Sequence, residues 1–256
     1  MINLQYIKSF YPSKEQLFEQ YILKEYLQFL ILDIVFSSKY WEYLSFLGET
    51  AIRIVYNSTR FSEDLDFDNF WLDEKKIDEL SKIIKLNLEK NWFEVEIKNV
   101  YKWAYRCYIK IPKILKQFWF SDLEDEKILI QIDTVQQDYI YKLDKKTVDK
   151  FGIYKIINVC PIDIILSKKI HALIGRKTTK WRDIFDIIFL YKMSKPNFDY
   201  LNIKIWIKND IELKRILNDF IKKLNLDELS KDERPFLINP DESNKVTFFK
   251  EFINNL

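Results

Sequence analysis

The sequence predicts an α+β protein whose two kinds of structure are segregated along the chain. Three observations carry that expectation. Up to about residue 158, apolar residues at helical spacing take turns with segments that alternate with period two. After Pro161 only helical spacing recurs. The chain has 256 residues, 48% hydrophobic and 16% aromatic, which supplies apolar material for one large domain or two of ordinary size. The expected domains are a mixed sheet with helices over 1–158 and a helical half over 159–256.

Residues 14–36 read as a helix, because Leu17, Tyr21, Ile22, Tyr26, Phe29, Leu30 and Asp33 recur near every 3.6 residues. A short apolar segment, 43–47, runs into Gly48, and Ala51, Ile52 and Val55 continue as a turn or two of helix. Residues 60–68 alternate as a strand. Helical spacing returns over 74–90 through Ile77, Leu80, Ile83, Ile84 and Leu88. Three strands follow, at 93–100, 105–111 and 128–135. The last puts Ile128, Ile130 and Ile132 on one face and Gln131 and Asp133 on the other. Pro161 suits the first turn of a helix. Helices at 162–175 and 181–193 flank the polar turn 175–180, and others are expected at 208–224 and 245–255. The stretch 227–242, with Pro235 and Pro240, reads as a solvated linker.

Composition removes several chemistries. The net charge is +2, so the chain as a whole does not announce a nucleic-acid binder. A single histidine, His171, leaves no ligand set for zinc of the His or Cys type, and it reads as a packing residue. Cys107 and Cys160 lie far apart and read as two buried thiols. The N-terminus lacks a basic segment followed by an apolar core, and the longest apolar run, 29–36, is interrupted by Asp33. A cytoplasmic protein without membrane association is expected. The aromatic runs at 101–103 and 116–120 invite a base-stacking reading, but with 42 aromatic residues they are read as core and strand residues.

The chemistry centres on Asp64-Leu65-Asp66. On a strand, residues two apart share a face, so both carboxylates point one way while Leu65 and Phe67 point into the core. Paired carboxylates repel unless a proton or a hard cation intervenes, and Mg²⁺ prefers oxygen ligands. Asp133, by its facing, is the candidate third carboxylate of a two-ion site that would activate a hydroxyl and steady phosphates. Asp-x-Asp alone is common at solvated strand ends; the upstream sequence strengthens it. Gly48 sits where a strand turns into a helix, and amides at such a corner bind phosphate. Arg60 and Ser62 flank the carboxylates and can donate to a triphosphate.

The segments Phe46-Leu47-Gly48-Glu49-Thr50-Ala51-Ile52-Arg53 and Arg60-Phe61-Ser62-Glu63-Asp64-Leu65-Asp66-Phe67 resemble the AbiEii/AbiGii-type nucleotidyltransferase toxins. These belong to the DNA polymerase β-like nucleotidyltransferase superfamily. Lys169-Ile170-His171-Ala172-Leu173-Ile174-Gly175-Arg176 and Arg182-Asp183-Ile184-Phe185-Asp186 continue the resemblance. It implies a polymerase-β-like catalytic sheet followed by a helical half. It also implies two Mg²⁺ (or Mn²⁺) ions on Asp64, Asp66 and Asp133, and a triphosphate held by Gly48, Thr50, Arg60, Ser62 and Lys169. Arg182, Asp183 and Asp186 would brace the helices. The implied reaction moves a nucleoside monophosphate from an NTP to an acceptor hydroxyl, with tRNA as the acceptor. The implied setting is a toxin–antitoxin or phage-defence pair, with a cognate antitoxin as partner. The sequence departs from the family at Glu49, where a second glycine is usual, and a negative charge there opposes a triphosphate. Two other readings of the same residues remain: a kinase-like phosphotransferase passing on the γ-phosphate, and a non-catalytic nucleotide- or antitoxin-binding protein.

Overall fold

The computed structural model describes residues 3–102, 104–123, 126–226, 228–229 and 237–256. Met1 and Ile2 of the N-terminus, Trp103 of the first aromatic run, and Asp227 and Pro235 of the expected linker lie outside them. The chain divides into two compact units, one of residues 1–57 and 61–160, the other of residues 58–60 and 161–256. The architecture is α+β.

The first unit is built on a seven-stranded mixed sheet: β1 (Leu44–Leu47), β2 (Leu65–Asn69), β3 (Glu96–Tyr101), β4 (Tyr105–Pro112), β5 (Lys127–Gln136), β6 (Asp144–Lys150) and β7 (Ile153–Val159). Their spatial order is β3-β4-β5-β2-β1-β7-β6. β2 lies at the centre, antiparallel to β1 and parallel to β5. Alternation sets the faces as expected: Ile128, Ile130 and Ile132 are buried, as are Leu65 and Phe67. Helix α1 (Leu4–Lys8) precedes α2 (Glu19–Ser37), which packs against β7 and against α4 (Glu74–Lys90). Val35 of α2 and Ile77, Leu80 and Ile84 of α4 line a small apolar cavity together with Phe67, Cys107 and Ile132 of the sheet. Asp73 caps α4 by accepting from the Lys76 amide at 2.9 Å. Helix α3 (Gly48–Tyr56) follows β1 directly and ends at Asn57, whose φ of 58° is the left-handed turn that stops helices. A short α5 (Ile114–Gln117) links β4 and β5.

Three expectations change here. The strand expected over 60–68 begins only at Leu65. Ser62 and Glu63 form a loop whose carbonyls are bound by side chains rather than by a neighbouring strand, and Arg60 belongs to the other unit. The helix expected from residue 14 starts at Glu19, after a 3-10 turn over Glu15–Leu17 and an irregular Phe18. The β6–β7 hairpin was not anticipated; it turns at Phe151 and Gly152, both at positive φ.

The second unit is helical: α6 (Ile162–Gly175), α7 (Trp181–Tyr191), α8 (Phe198–Ile205) and α9 (Asp210–Ile221), with short helices at Asn244–Thr247 and Phe249–Asn254. Asn197 and Asn209 cap α8 and α9 by accepting from the amides of Tyr200 and Glu212, each at 2.9 Å. Helix α8 is absent from the sequence expectation. No helix among the described residues is long and apolar enough to cross a membrane. Cys107 and Cys160 are both buried thiols. Burial pushes the Cys107 thiol up to about 12, so it stays protonated.

Candidate active site

The corner between β1 and α3 is shaped by glycine. Gly48 has a φ of +79°, and a Cβ placed on it would lie 2.0 Å from Asp66 Oδ2. The Asp66 side chain therefore occupies the space that any other residue at 48 would fill. Sheet register explains the contact: Leu47 pairs with Asp66 across the antiparallel β1–β2 ladder. On the other side of β2, Asp66 is the register partner of Asp133 on β5. Two carboxylates thus stand on adjacent strands, one of them against the first residue of α3. Amide groups at a helix start favour anions.

Asp64 stands one residue before β2, where no ladder bond holds it. Its segment is held from two helices instead. Gln28 of α2, fully buried, donates to the carbonyls of Ser62 and Glu63, both at 3.0 Å. Thr50 of α3 lies 2.8 Å from Ser62 Oγ and donates to the Asp64 carbonyl. Phe61, at the head of the segment, is stacked on Tyr21 with ring centroids 5.4 Å apart, and Arg53 lies 4.6 Å over it. Arg53 is itself fixed by Glu25 at 2.9 Å and Glu15 at 2.9 Å. Burial alone would raise the Glu25 carboxyl, but Arg53 and Lys150 hold it below the usual carboxylate range.

The electrostatics of the three acids differ. Desolvation raises the pKa of Asp64, with Glu63 and Asp133 adding to the rise, against Lys24 and a hydrogen bond from the Gln131 backbone N–H. Asp133 accepts from Gln131 Nε2 at 2.9 Å on both oxygens and pairs with Arg106 at 3.3 Å. Among the described residues, no group of three or more acidic, histidine or cysteine side chains is set closely enough to hold an ion. The donor set is nevertheless all carboxylate, which suits a hard cation. Asp133 would have to turn from Arg106 to join Asp64 and Asp66 on one ion.

The structure thus brings Gly48, Asp66 and Asp133 together by register, and Thr50, Ser62 and Asp64 through the 62–64 segment. It places Thr50 differently from a triphosphate ligand: the residue is fully buried and its hydroxyl is engaged by the segment. Arg60 and Lys169 lie in the second unit. Arg60 is 2% exposed and forks onto Asp186, with Nε and Nη2 at 2.9 and 2.8 Å from its two oxygens. Lys169 lies 2.8 Å from Asp186 and 3.2 Å from Asp183, and Arg176 also bonds Asp183. Asp183 and Asp186 are fully buried, so these cations compensate them. The expectation that Arg60 and Lys169 face a triphosphate meets a physical obstacle, since both ends are directed at carboxylates of their own unit. Gln28, Lys24, Gln131 and Arg106 escaped sequence reasoning. Only Gln131, two residues before Asp133 on the same strand face, carried a usable signal.

The family described as nucleotidyl transferase AbiEii toxin, of type IV toxin–antitoxin systems, matches residues 32–249. Among solved structures, the fold is similar to JHP933 from Helicobacter pylori, at 19% identity and a TM-score of 0.55, covering 93% of each chain. A putative nucleotidyltransferase from H. pylori matches at 19% identity and a TM-score of 0.54, covering 93% of this chain and 96% of that one. MenT4, a nucleotidyltransferase toxin from Mycobacterium tuberculosis, matches at 11% identity and a TM-score of 0.59, covering 100% and 91%. No curated protein matches in sequence.

Proposed function

The chain belongs to the nucleotidyl transferase AbiEii toxin family, and from that premise we propose that it moves a nucleoside monophosphate from an NTP to an acceptor hydroxyl at the Gly48–Asp66–Asp133 corner. The observation that carries this reading is the contact between Asp66 and the bare Cα of Gly48, with Asp133 in register on the next strand.

In this reading the acceptor oxygen attacks the α-phosphorus, the bond from that phosphorus to the bridging oxygen breaks, and pyrophosphate leaves with the electron pair. Asp133 takes the hydroxyl proton, and Asp64 and Asp66 would hold the cation against which the phosphates are oriented. Mg²⁺ or Mn²⁺ held by these three acids would supply Lewis acidity and charge neutralisation. The amides at the start of α3 and the Ser62 hydroxyl face the triphosphate, and Gln28 and Thr50 hold the segment that presents Asp64. Arg60 and Lys169 act as counter-ions for Asp186 and Asp183. Glu49, in the first turn of α3, is favoured there by the helix dipole, yet its charge opposes a bound triphosphate and so weakens NTP affinity. The acceptor is RNA, with tRNA as the first candidate, and a cognate antitoxin neutralises the enzyme in the cytoplasm.

Incubation with total RNA, Mg²⁺ and each NTP, labelled in turn at the α or γ position, tests the reading. Label from the α position entering RNA is expected. Transfer of γ label instead would replace it with phosphotransfer. No transfer from any NTP, with Asp64→Ala indistinguishable from wild type, would overturn both.

A further inference from the structure

β2 begins only at Leu65, opposite Ile132, so residues 127–131 of β5 run on past the start of their neighbour. A cleft of about 510 Å³ lies there. Tyr21 and Lys24 of α2 line it, with Lys127, Leu129 and Gln131 of β5, and Asp64 is part of its wall. Gly48 and Asp66 are not among its lining residues. A volume of this size holds one nucleotide-sized group.

We propose that this cleft receives the acceptor: a single-stranded stretch of RNA whose ribose hydroxyl is presented at Asp64. The inference rests on the nucleotidyltransferase reading and adds the subsite to it. Two substrates must converge on the carboxylates, and the triphosphate is assigned to the Gly48 turn. The cleft reaches the same carboxylates by way of Asp64 and the strand that carries Asp133, so it is the approach left to the second substrate.

Its chemistry suits a nucleotide. The Tyr21 ring is only half-buried and is fixed by stacking on the buried Phe61, at 5.4 Å and 21° between ring planes. A rigid aromatic ring of this kind stacks any base. Lys127 lines the β5 wall with 40% of its side chain exposed, at a loose 4.0 Å from Glu96, and can turn to a phosphate. Lys24 lies 3.1 Å from Glu63 and also acts on Asp64, which places a cation beside the reacting hydroxyl rather than along the backbone. The Gln20 and Gln131 amides offer hydrogen bonds to base or sugar. The near-neutral chain thus needs no basic face to bind RNA: one stacked base and one or two phosphates suffice for local positioning.

The test uses a 5′-fluorescein-labelled single-stranded decaribonucleotide with free hydroxyls, its binding followed by anisotropy, and transfer kinetics with the same oligonucleotide. Leu129→Trp fills the cleft from an exposed position on β5. Tyr21→Ala removes the platform, and Lys127→Ala removes a phosphate contact. The expected result is a rise of about tenfold or more in oligonucleotide Kd and acceptor KM for Leu129→Trp and Tyr21→Ala. In Leu129→Trp the KM for NTP should stay within about twofold, and Lys127→Ala should lower the salt dependence of binding by about one counter-ion. Unchanged oligonucleotide binding in Leu129→Trp, a rise confined to the KM for NTP, or no binding by wild type overturns the proposal. Binding is read without turnover, so the subsite can stand or fall apart from the reaction: wild type that binds the oligonucleotide in the cleft yet transfers nothing faults the function alone.

Discussion

The two units each gather charge, and they do so in opposite ways. In the helical unit, Asp183 and Asp186 are fully buried and matched by Arg60, Lys169 and Arg176, with Arg60 itself 2% exposed. That cluster is closed and neutralises itself. In the sheet unit, Asp64, Asp66 and Asp133 stand at a corner that keeps solvent contact, and Asp64 is raised in pKa by desolvation with its acidic neighbours adding to it. That cluster is open to solvent, and in the proposed reading it gains from an added cation. A buried ion network holds structure, whereas a solvent-open set of acids at a strand end is accessible to a ligand.

Removing one partner should separate the two most sharply. Asp186→Ala leaves Arg60 and Lys169 buried without their shared carboxylate, and a loss of about 3–5 kcal/mol is expected by denaturant unfolding. Asp66→Ala should act in the reverse sense. Transfer activity falls by more than the roughly 10–100-fold typical of outer-shell changes, while the melting temperature holds or rises because repulsion is relieved. If Asp66→Ala destabilises as much as Asp186→Ala, the open corner is a structural network after all. Gly48→Ala tests the shape of the corner. The added Cβ strains a left-handed residue by about 1–2 kcal/mol and displaces the Asp66 carboxylate, so Mg²⁺-induced thermal stabilisation should weaken beyond the stability lost. Glu49→Gly is expected to lower the KM for NTP several-fold in steady-state assays without raising the acceptor KM.

The smallest effect is the pH response of Asp64. Its folded pKa is raised, so the folded protein binds more protons than the unfolded chain in that window. Its ionisation therefore lowers stability as pH rises from the ordinary aspartate range through the raised value, while the proposed transfer activity should grow over the same interval. Asp64→Asn should flatten that decline in melting temperature above the ordinary aspartate range; an unchanged slope would show that Asp64 is not its source.

Legibility in the sequence followed how strongly each feature is written in periodicity. The α4 helix and the β5 alternation were readable because their apolar residues repeat without interruption. The β6–β7 hairpin was not: residues 144–150 carry charges on most positions, and Val148 is the one buried residue on that strand. Helix α8 is eight residues long and ends at Trp206 in a left-handed conformation, so the glycine that usually marks a helix end is missing. At the candidate site, the closeness of Gly48, Asp66 and Asp133 was legible from turn chemistry and facing, whereas the loop that carries Asp64 was not. The roles of Arg60 and Lys169 were not, because burial against Asp186 is a long-range contact spanning 126 residues in the Arg60 case. Gln28 is likewise invisible before folding, since its two acceptors lie 34 and 35 residues away.

The excursion of residues 58–60 into the helical unit bears on how the protein can be divided. A gene cut at residue 160 yields two fragments, neither of which is a whole module: the C-terminal piece lacks Arg60, and Asp186 loses one of its cations. Exchange of helical halves between relatives must therefore carry this tripeptide along, or match its arginine to the new acceptor. The interruption makes the enzyme less a pair of cassettes than a single reading frame in which catalytic and helical parts must change together.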